Sequence, residues 1–438
     1  MTGLNESHDP ARRSWIEQAN TRGSEFPIQN LPLGVFRAPG RDARGGVAIG
    51  DVIFDLKAAS VVGLFSNSAA AAARAASGPT LNALMALPLQ KISALRHALS
   101  DLLRADGPHQ ERVENANALV PMRAATMLLP TAIGDFTDFF TSLDHVTRVG
   151  RVLRPDAELP AAFKHLPMAY NGRTSSVVVS DTPVIRPRGQ RRLGRDVQFG
   201  PTRALDFELE GGINVAGGNA LGMPISLRAA HEHIFGLCLL NDWSARDIQR
   251  WESTPLGPFL GKSFCTTISP WIVTAEALAP FRVPARPRAA GDPMPQAYLQ
   301  DATDQREGGF DIELTATIQT AAMRSQGQAP VPITRTNLST LYWSVAQMIA
   351  HHTSNGCNLR AGDLLGTGTA SGPADEARAC MLELTVGGNQ PLKLPSGETR
   401  SWLEDGDEVA FHARAQRSGF VSIGFGECRA RIAPAVSD

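Results

Sequence analysis

The stretch Leu205-Asp-Phe-Glu-Leu-Glu210 restricts the folds open to this chain more than any other. Leu205, Phe207 and Leu209 alternate with Asp206, Glu208 and Glu210, the period-2 pattern of a half-buried strand. Side chains two apart on a strand point the same way, so Glu208 and Glu210 stand side by side. Two carboxylates that close raise each other's pKa unless a cation lies between them. Oxygen ligands of this kind suit a hard ion, Mg²⁺ or Ca²⁺, rather than a soft metal. A merely solvated strand face is the plainer use of the same pattern.

The 438 residues allow two or three domains with a large core. Lys and Arg number 42 against 43 Asp and Glu, a balance that points to neither nucleic acid nor an anionic membrane. No apolar run approaches the roughly 20 residues needed to span a bilayer. Residues 1–23 are polar and aperiodic, which predicts disorder and no secretion signal. The 5 cysteines are dispersed without C-x-x-C spacing and read as reduced thiols of a cytoplasmic protein. With 40 Gly and 30 Pro, the chain should be rich in turns and short strands.

Val47 to Phe54 reads as a hairpin turning at Gly50-Asp51. An alanine-rich stretch, 69–76, follows, and then a helix with Ile92, Leu95, Leu99, Leu102 and Leu103 on one face. These pieces predict a small β domain with a helical appendage over 24–125. A larger unit over 126–438 has an apolar strand at 176–180, a surface loop at 186–200 and a Pro- and Ala-rich excursion at 279–309. Strands are expected at 311–318, 381–386, 408–413 and 421–425. A helix is expected from Leu338 to His352, capped by Thr336 or Asn337 and ended by Asn355-Gly356. Strands dominate, which argues against a βαβ chain and for a mainly β, α+β fold.

Several motifs fail on spacing. Gly257 to Ser263 has too few residues between its glycines, and a proline, for a phosphate loop. Gly366 to Gly372 lacks dinucleotide-loop spacing and a following helix. No Gly-x-Ser-x-Gly occurs. His231-x-His233 and His351-His352 lack zinc-site spacing, and the second pair suits a helix end. His145 sits differently, in the acid-rich segment Asp135-Phe-Thr-Asp-Phe-Phe-Thr-Ser-Leu-Asp-His145.

Along nearly its whole length the chain resembles the fumarylacetoacetases. The blocks that carry the resemblance include Asp135-Phe-Thr-Asp-Phe139, Tyr170-Asn-Gly-Arg173 and Leu205 to Glu210. His165-Leu-Pro167, His231-Glu-His-Ile-Phe-Gly236, Asn241-Asp-Trp-Ser-Ala-Arg-Asp247, Pro255 to Ser263 and Asn355-Gly-Cys-Asn-Leu-Arg360 belong to the same set. The resemblance implies a small N-terminal SH3-like barrel, a large C-terminal domain of mixed, rolled sheets, and a homodimer. It also implies hydrolysis of a carbon–carbon bond in fumarylacetoacetate, giving fumarate and acetoacetate, a step of tyrosine and phenylalanine breakdown.

Carried over by position, Asp138, Glu208, Glu210 and Asp242 surround a divalent cation, Mg²⁺ or Ca²⁺, with Lys262 and Thr266 around the same site. His145, oriented by Glu383, activates water. Arg246, Gln249 and Lys262 steady the oxyanion and the leaving group. Arg154, Tyr170 and Thr369 match substrate-contacting positions. Two substrate-facing tyrosines of the family stand here as Phe140 and Ser253. Those two changes favour the alternative of a related acylpyruvate or oxo-acid hydrolase or decarboxylase on the same scaffold.

Overall fold

The computed structural model describes residues 3–153 and 158–437. The N-terminal part is built on a small, curled, antiparallel sheet. Its strands run in the order Leu119–Pro121, Val52–Asp55, Arg44–Ile49, Leu33–Arg37, Thr126–Leu128. The expected hairpin pairs Ile49 with Val52 across Gly50-Asp51, and Gly50 takes a left-handed φ of 56°. Helix Asn67–Ala76 packs against the sheet and helix Leu89–Leu103 packs on that helix, all within one apolar core. The second of these buries the five apolar residues that its periodicity singled out.

Two large sheets, with several two-stranded ribbons, form the larger part. One has eight strands, with Leu209–Val215 at its centre between Ile234–Asp242 and Leu364–Gly366. It is mixed, because Leu364–Gly366 runs parallel to Phe136–Phe140 and Thr266–Ile268 runs parallel to Val177–Val179. The other has five strands in the order Val331–Asn337, Ile312–Gln319, Glu408–Ala415, Ile423–Ala433, Val184–Ile185. Phe207 meets Phe411 edge to face across the shared core, with ring centroids 5.7 Å apart. The molecule is mostly strand, of mixed α+β class.

Six local expectations change. Residues 205–210 are not half-buried, since Asp206, Glu208 and Glu210 are as enclosed as the apolar residues between them. The strand is also interrupted, into Leu205–Asp206 and Leu209–Val215. Residues 186–200 are not a loop but carry the hairpin of Arg188–Leu193 with Asp196–Pro201, closed at Gly194 with φ 64°.

Residues 381–386 hold a helical turn, Met381–Leu384, rather than a strand. The Asp206 carboxylate accepts from the Met381 and Leu382 N–H groups and so caps that turn. The helix expected from Leu338 starts later, as Val345–Thr353. Ser344 and Gln347 form a capping box there, while Asn337 caps only a 3₁₀ turn, Leu338–Thr340. Residues 3–23 contain two 3₁₀ turns, Glu6–His8 and Glu17–Asn20. Asn5 Nδ2 donates to Glu276 Oε1 at 2.8 Å and His8 Nε2 lies 2.8 Å from the Glu276 carbonyl, which ties that segment down. Finally, the amphipathic helix Leu143–Leu153 follows strand Phe136–Phe140 where no helix was read.

Candidate active site

The central strand and its neighbours bring four acids together. Glu210 lies on Leu209–Val215, and Asp242 ends Ile234–Asp242. Asp138 lies on Phe136–Phe140, in register with Gly366. Glu208 occupies the interruption before the central strand and bridges Cys380. One oxygen from each of Asp138, Glu208, Glu210 and Asp242 falls within 4.8 Å of all the others, and all four residues are buried.

The cluster fits only because glycine borders it. A Cβ at Gly366 would lie 2.4 Å from Asp138 Oδ1 and 2.8 Å from Glu210 Oε2. Gly368, at φ 74°, turns its N–H onto Glu210 Oε2 at 3.0 Å. The glycine loop that fails as a dinucleotide site therefore serves the carboxylates.

Electrostatics set these acids apart. Burial first, and then Asp242, push the Asp138 pKa well above the carboxylate range. Burial and the neighbouring Asp138 do the same to Glu210. Burial would raise Glu208 too, but Lys262 and Arg246 hold it below its ordinary value. Lys262 Nζ donates to Glu208 Oε2 and Asp242 Oδ2, both at 2.6 Å. Burial disfavours its charge, yet Asp242 and Glu208 raise its pKa, so it is an ammonium. An ammonium has no lone pair for a metal, so Lys262 meets the carboxylates and not an ion. Thr266 Oγ1 likewise donates to Asp242 Oδ1 at 3.1 Å.

Asp138 Oδ1 and Glu210 Oε1 are buried without a hydrogen-bond donor. Such atoms are costly unless something cationic meets them. Two enclosed, unsatisfied carboxylate oxygens in an all-oxygen set fit a hard divalent cation.

Beside the cluster, His145 Nδ1 lies 2.6 Å from Glu383 Oε1, with both side chains nearly excluded from solvent. Glu383 also accepts from Ser371 Oγ at 2.5 Å and from Arg148 at 3.3 Å. Burial opposes ionisation of Glu383, but His145, Ser371 and Arg148 lower its pKa, so it is a carboxylate. A carboxylate on Nδ1 fixes the ring so that Nε2 is its free nitrogen.

Arg246 Nε donates to Asp206 Oδ2 at 2.8 Å, its Nη2 lies 2.6 Å from Glu208 Oε1, and its Nη1 donates to Gln249 Oε1 at 3.1 Å. With Oε1 so engaged, Gln249 keeps its amide N–H groups for a ligand. Tyr170 donates to Asp242 Oδ2 at 2.6 Å, and burial and Asp242 push its pKa well up, so it is a neutral phenol.

These groups open on one cavity of about 480 Å³. Asp138, His145, Tyr170, Glu208, Arg246 and Lys262 line it. So do Phe140, Gln249, Ser253 and Thr369. Thr369 Oγ1 is buried and has no partner. Phe140 packs edge-on against His145, with centroids 5.3 Å apart. Ser253 turns its hydroxyl back onto the Gln249 carbonyl at 2.5 Å. Of the residues singled out in the sequence, Arg154 lies outside the described residues.

Three contributors went unread. Arg148 stands three residues from His145 on one helix and grips Glu383 along with the carbonyls of Gly372, Pro373 and Ala374. That i, i+3 spacing was the available signal. Asp206 acts on a turn 175 positions away and Ser371 on a glutamate 12 positions on, outside any helical or strand period, so neither left a local signal, although Asp206 alternates with the two glutamates.

Comparison with known proteins agrees with this geometry. The profile of the family described as fumarylacetoacetate hydrolase, C-terminal, matches residues 136–433. That described as fumarylacetoacetase, N-terminal, matches residues 29–130. The chain is 44% identical to the fumarylacetoacetase of Oryza sativa subsp. japonica over 97% of its own length and 98% of that protein's. It is 44% identical to the Homo sapiens fumarylacetoacetase over 94% and 97% of the two chains. Among solved structures, the fumarylacetoacetate hydrolase of Exiguobacterium antarcticum superposes with a TM-score of 0.50 at 16% identity. That likeness covers 92% of this chain and 99% of the other, and it concerns the fold alone.

Proposed function

The chain belongs to the fumarylacetoacetate hydrolase family, and from that premise we propose that it hydrolyses fumarylacetoacetate to fumarate and acetoacetate. The observation that carries the reading is that one cavity is lined both by Asp138 and Glu208 of the four-carboxylate cluster and by His145, which Glu383 holds from behind.

Asp138, Glu208, Glu210 and Asp242 would hold the divalent cation, Mg²⁺ or Ca²⁺. Bound there, that ion supplies Lewis-acid polarisation of the diketone oxygens. His145 Nε2 takes a proton from water while Glu383 stabilises the resulting imidazolium. The water oxygen adds to the fumaryl carbonyl carbon. The bond from that carbon to the neighbouring methylene then breaks, and its electron pair leaves with the acetoacetate fragment as an enolate. That enolate recovers a proton, for which His145 is the charged donor. Lys262 and the Gln249 amide steady negative charge on the oxygens, and Arg246 holds Glu208 and Gln249 in place. Tyr170 and Thr369 supply hydroxyls toward the substrate.

We take the enzyme to act as a cytoplasmic homodimer. Leu256 and Phe259 stand exposed near the cavity lip, as a covered face requires. Five free thiols, four of them buried, suit a reducing compartment. Among the described residues, no helix is long and apolar enough to cross a membrane.

Turnover in H₂¹⁸O tests the reaction. The label should enter fumarate and not acetoacetate. A second reading, another acylpyruvate or oxo acid, is favoured by Phe140 and Ser253, which offer no phenol where the family has one. Release of carbon dioxide without fumarate would replace the first reading with the second.

A further inference from the structure

A second cavity, of about 440 Å³, shares no lining residue with the first. It lies where helix Leu89–Leu103 of the N-terminal part faces the segment around residues 231–284. Leu33, Ile92, Leu95, Leu99 and Phe235 give it an apolar lining. Sites that bind small molecules are often of this kind, with an apolar body and a few convergent polar groups.

The polar side of this cavity is cationic. Arg282, Arg306 and Arg417 line it, and none of the three has a carboxylate within ion-pair distance among the described residues. Arg282 lies over the Phe310 ring at 3.8 Å and reaches only the Glu307 carbonyl, at 3.4 Å. Arg417 is held by the Pro280 carbonyl at 2.8 Å. The buried acid on the wall, Glu276, is already occupied by Asn5 Nδ2 at 2.8 Å and Ser93 Oγ at 3.0 Å. Glu307 is the other acid, so unpaired cations outnumber free carboxylates.

His231 supplies an independent sign of a missing partner. It is 7% exposed and lines the cavity, yet neither ring nitrogen makes a hydrogen bond. Its Nε2 is 3.5 Å from Asp304 Oδ1, and both Asp304 oxygens are taken by Ser344 Oγ at 2.9 Å. Burial, and then Arg282, push its pKa down to about 4, so at neutral pH it is an uncharged ring with one N–H to give.

We propose that this cavity is a second binding site, for a small carboxylic acid with an apolar body. The carboxylate meets Arg282 and the His231 N–H, and the body lies on Leu33, Ile92, Leu95 and Leu99. A carboxylate is the group that both a guanidinium fork and an imidazole N–H recognise well.

Calorimetric titration of the full, metal-loaded chain with 4-phenylbutyrate tests this. Binding should survive Ser253→Trp, which fills the first cavity, and should vanish with Ser93→Trp, which fills the second. Arg282→Gln, at a partly exposed position, should weaken binding roughly tenfold or more, as should replacing the acid by 4-phenyl-1-butanol. No binding up to about 10 mM, loss with Ser253→Trp alone, or equal affinity for the alcohol would each overturn the proposal.

Discussion

At the scale of single residues, catalysis is assigned to His145 and metal retention to the acids, and the two roles separate experimentally. His145→Ala should lower kcat by roughly 10²–10⁴ while divalent-cation affinity, read by calorimetry, stays unchanged. Retention of near-normal turnover would remove His145 from its role. Arg148 touches neither the cavity nor the acids, but it grips Glu383 and three carbonyls at once. It is a positioning residue. Arg148→Met should lower kcat roughly tenfold with KM little changed, and Arg148→Lys should recover only part, since an ammonium lacks the planar fork. A rise in KM with kcat intact would place Arg148 in binding instead. Phe140 and Ser253 mark the other limit of residue-scale reasoning. Phe140 supports the His145 ring and Ser253 folds its hydroxyl onto its own helix, so both take local structural partners.

At the scale of elements, the sheet registers decide which residues meet. Gly366 lies opposite both Asp138 and Gly212, so the strand Leu364–Gly366 forms a groove between two acid-bearing strands. Gly366→Ala would drive a methyl group into Asp138 Oδ1 and Glu210 Oε2. Cation affinity should fall roughly tenfold or more, a larger effect than the change in thermal stability. Unchanged affinity would mean that the groove does not shape the site. Local patterns revealed the elements whose periodicity is intrinsic, such as the Gly50-Asp51 hairpin and the helix Leu89–Leu103. They misread the elements that distant partners control. Met381–Leu384 is helical because Asp206, 175 positions away, caps it. The acids at 206, 208 and 210 are buried under groups distant in the chain, the Met381 and Leu382 amides on Asp206, Lys262 and Arg246 on Glu208 and the Gly368 amide on Glu210, which no alternation of six residues can reveal. The Glu383 partner of His145 is 238 positions away and was legible only through family resemblance.

At the scale of the whole molecule, the enclosed acids link stability to pH and metal. Asp138 and Glu210 have folded-state pKa values raised first by burial and then by neighbouring carboxylates, Asp242 for Asp138 and Asp138 for Glu210. An acid raised on folding binds more protons in the native state, so its protonated form stabilises the fold at low pH. That contribution is lost as pH rises from about 4, the unfolded value, through the folded one. Metal-free protein should therefore lose thermal stability as pH rises over this window. Added Mg²⁺ or Ca²⁺ should restore it, more at higher pH, because the ion displaces those protons. A melting temperature that is flat with pH and insensitive to the ion would contradict the cluster's assignment. The central claim is that one cavity joins a cation-holding cluster to a water-activating histidine for cleavage of a diketo acid. Its most direct test follows the ultraviolet absorbance of fumarylacetoacetate with the purified enzyme, with and without a chelator. Rapid loss that the chelator stops, and that added divalent cation restores, is the predicted result. No loss from folded, metal-loaded protein would contradict it.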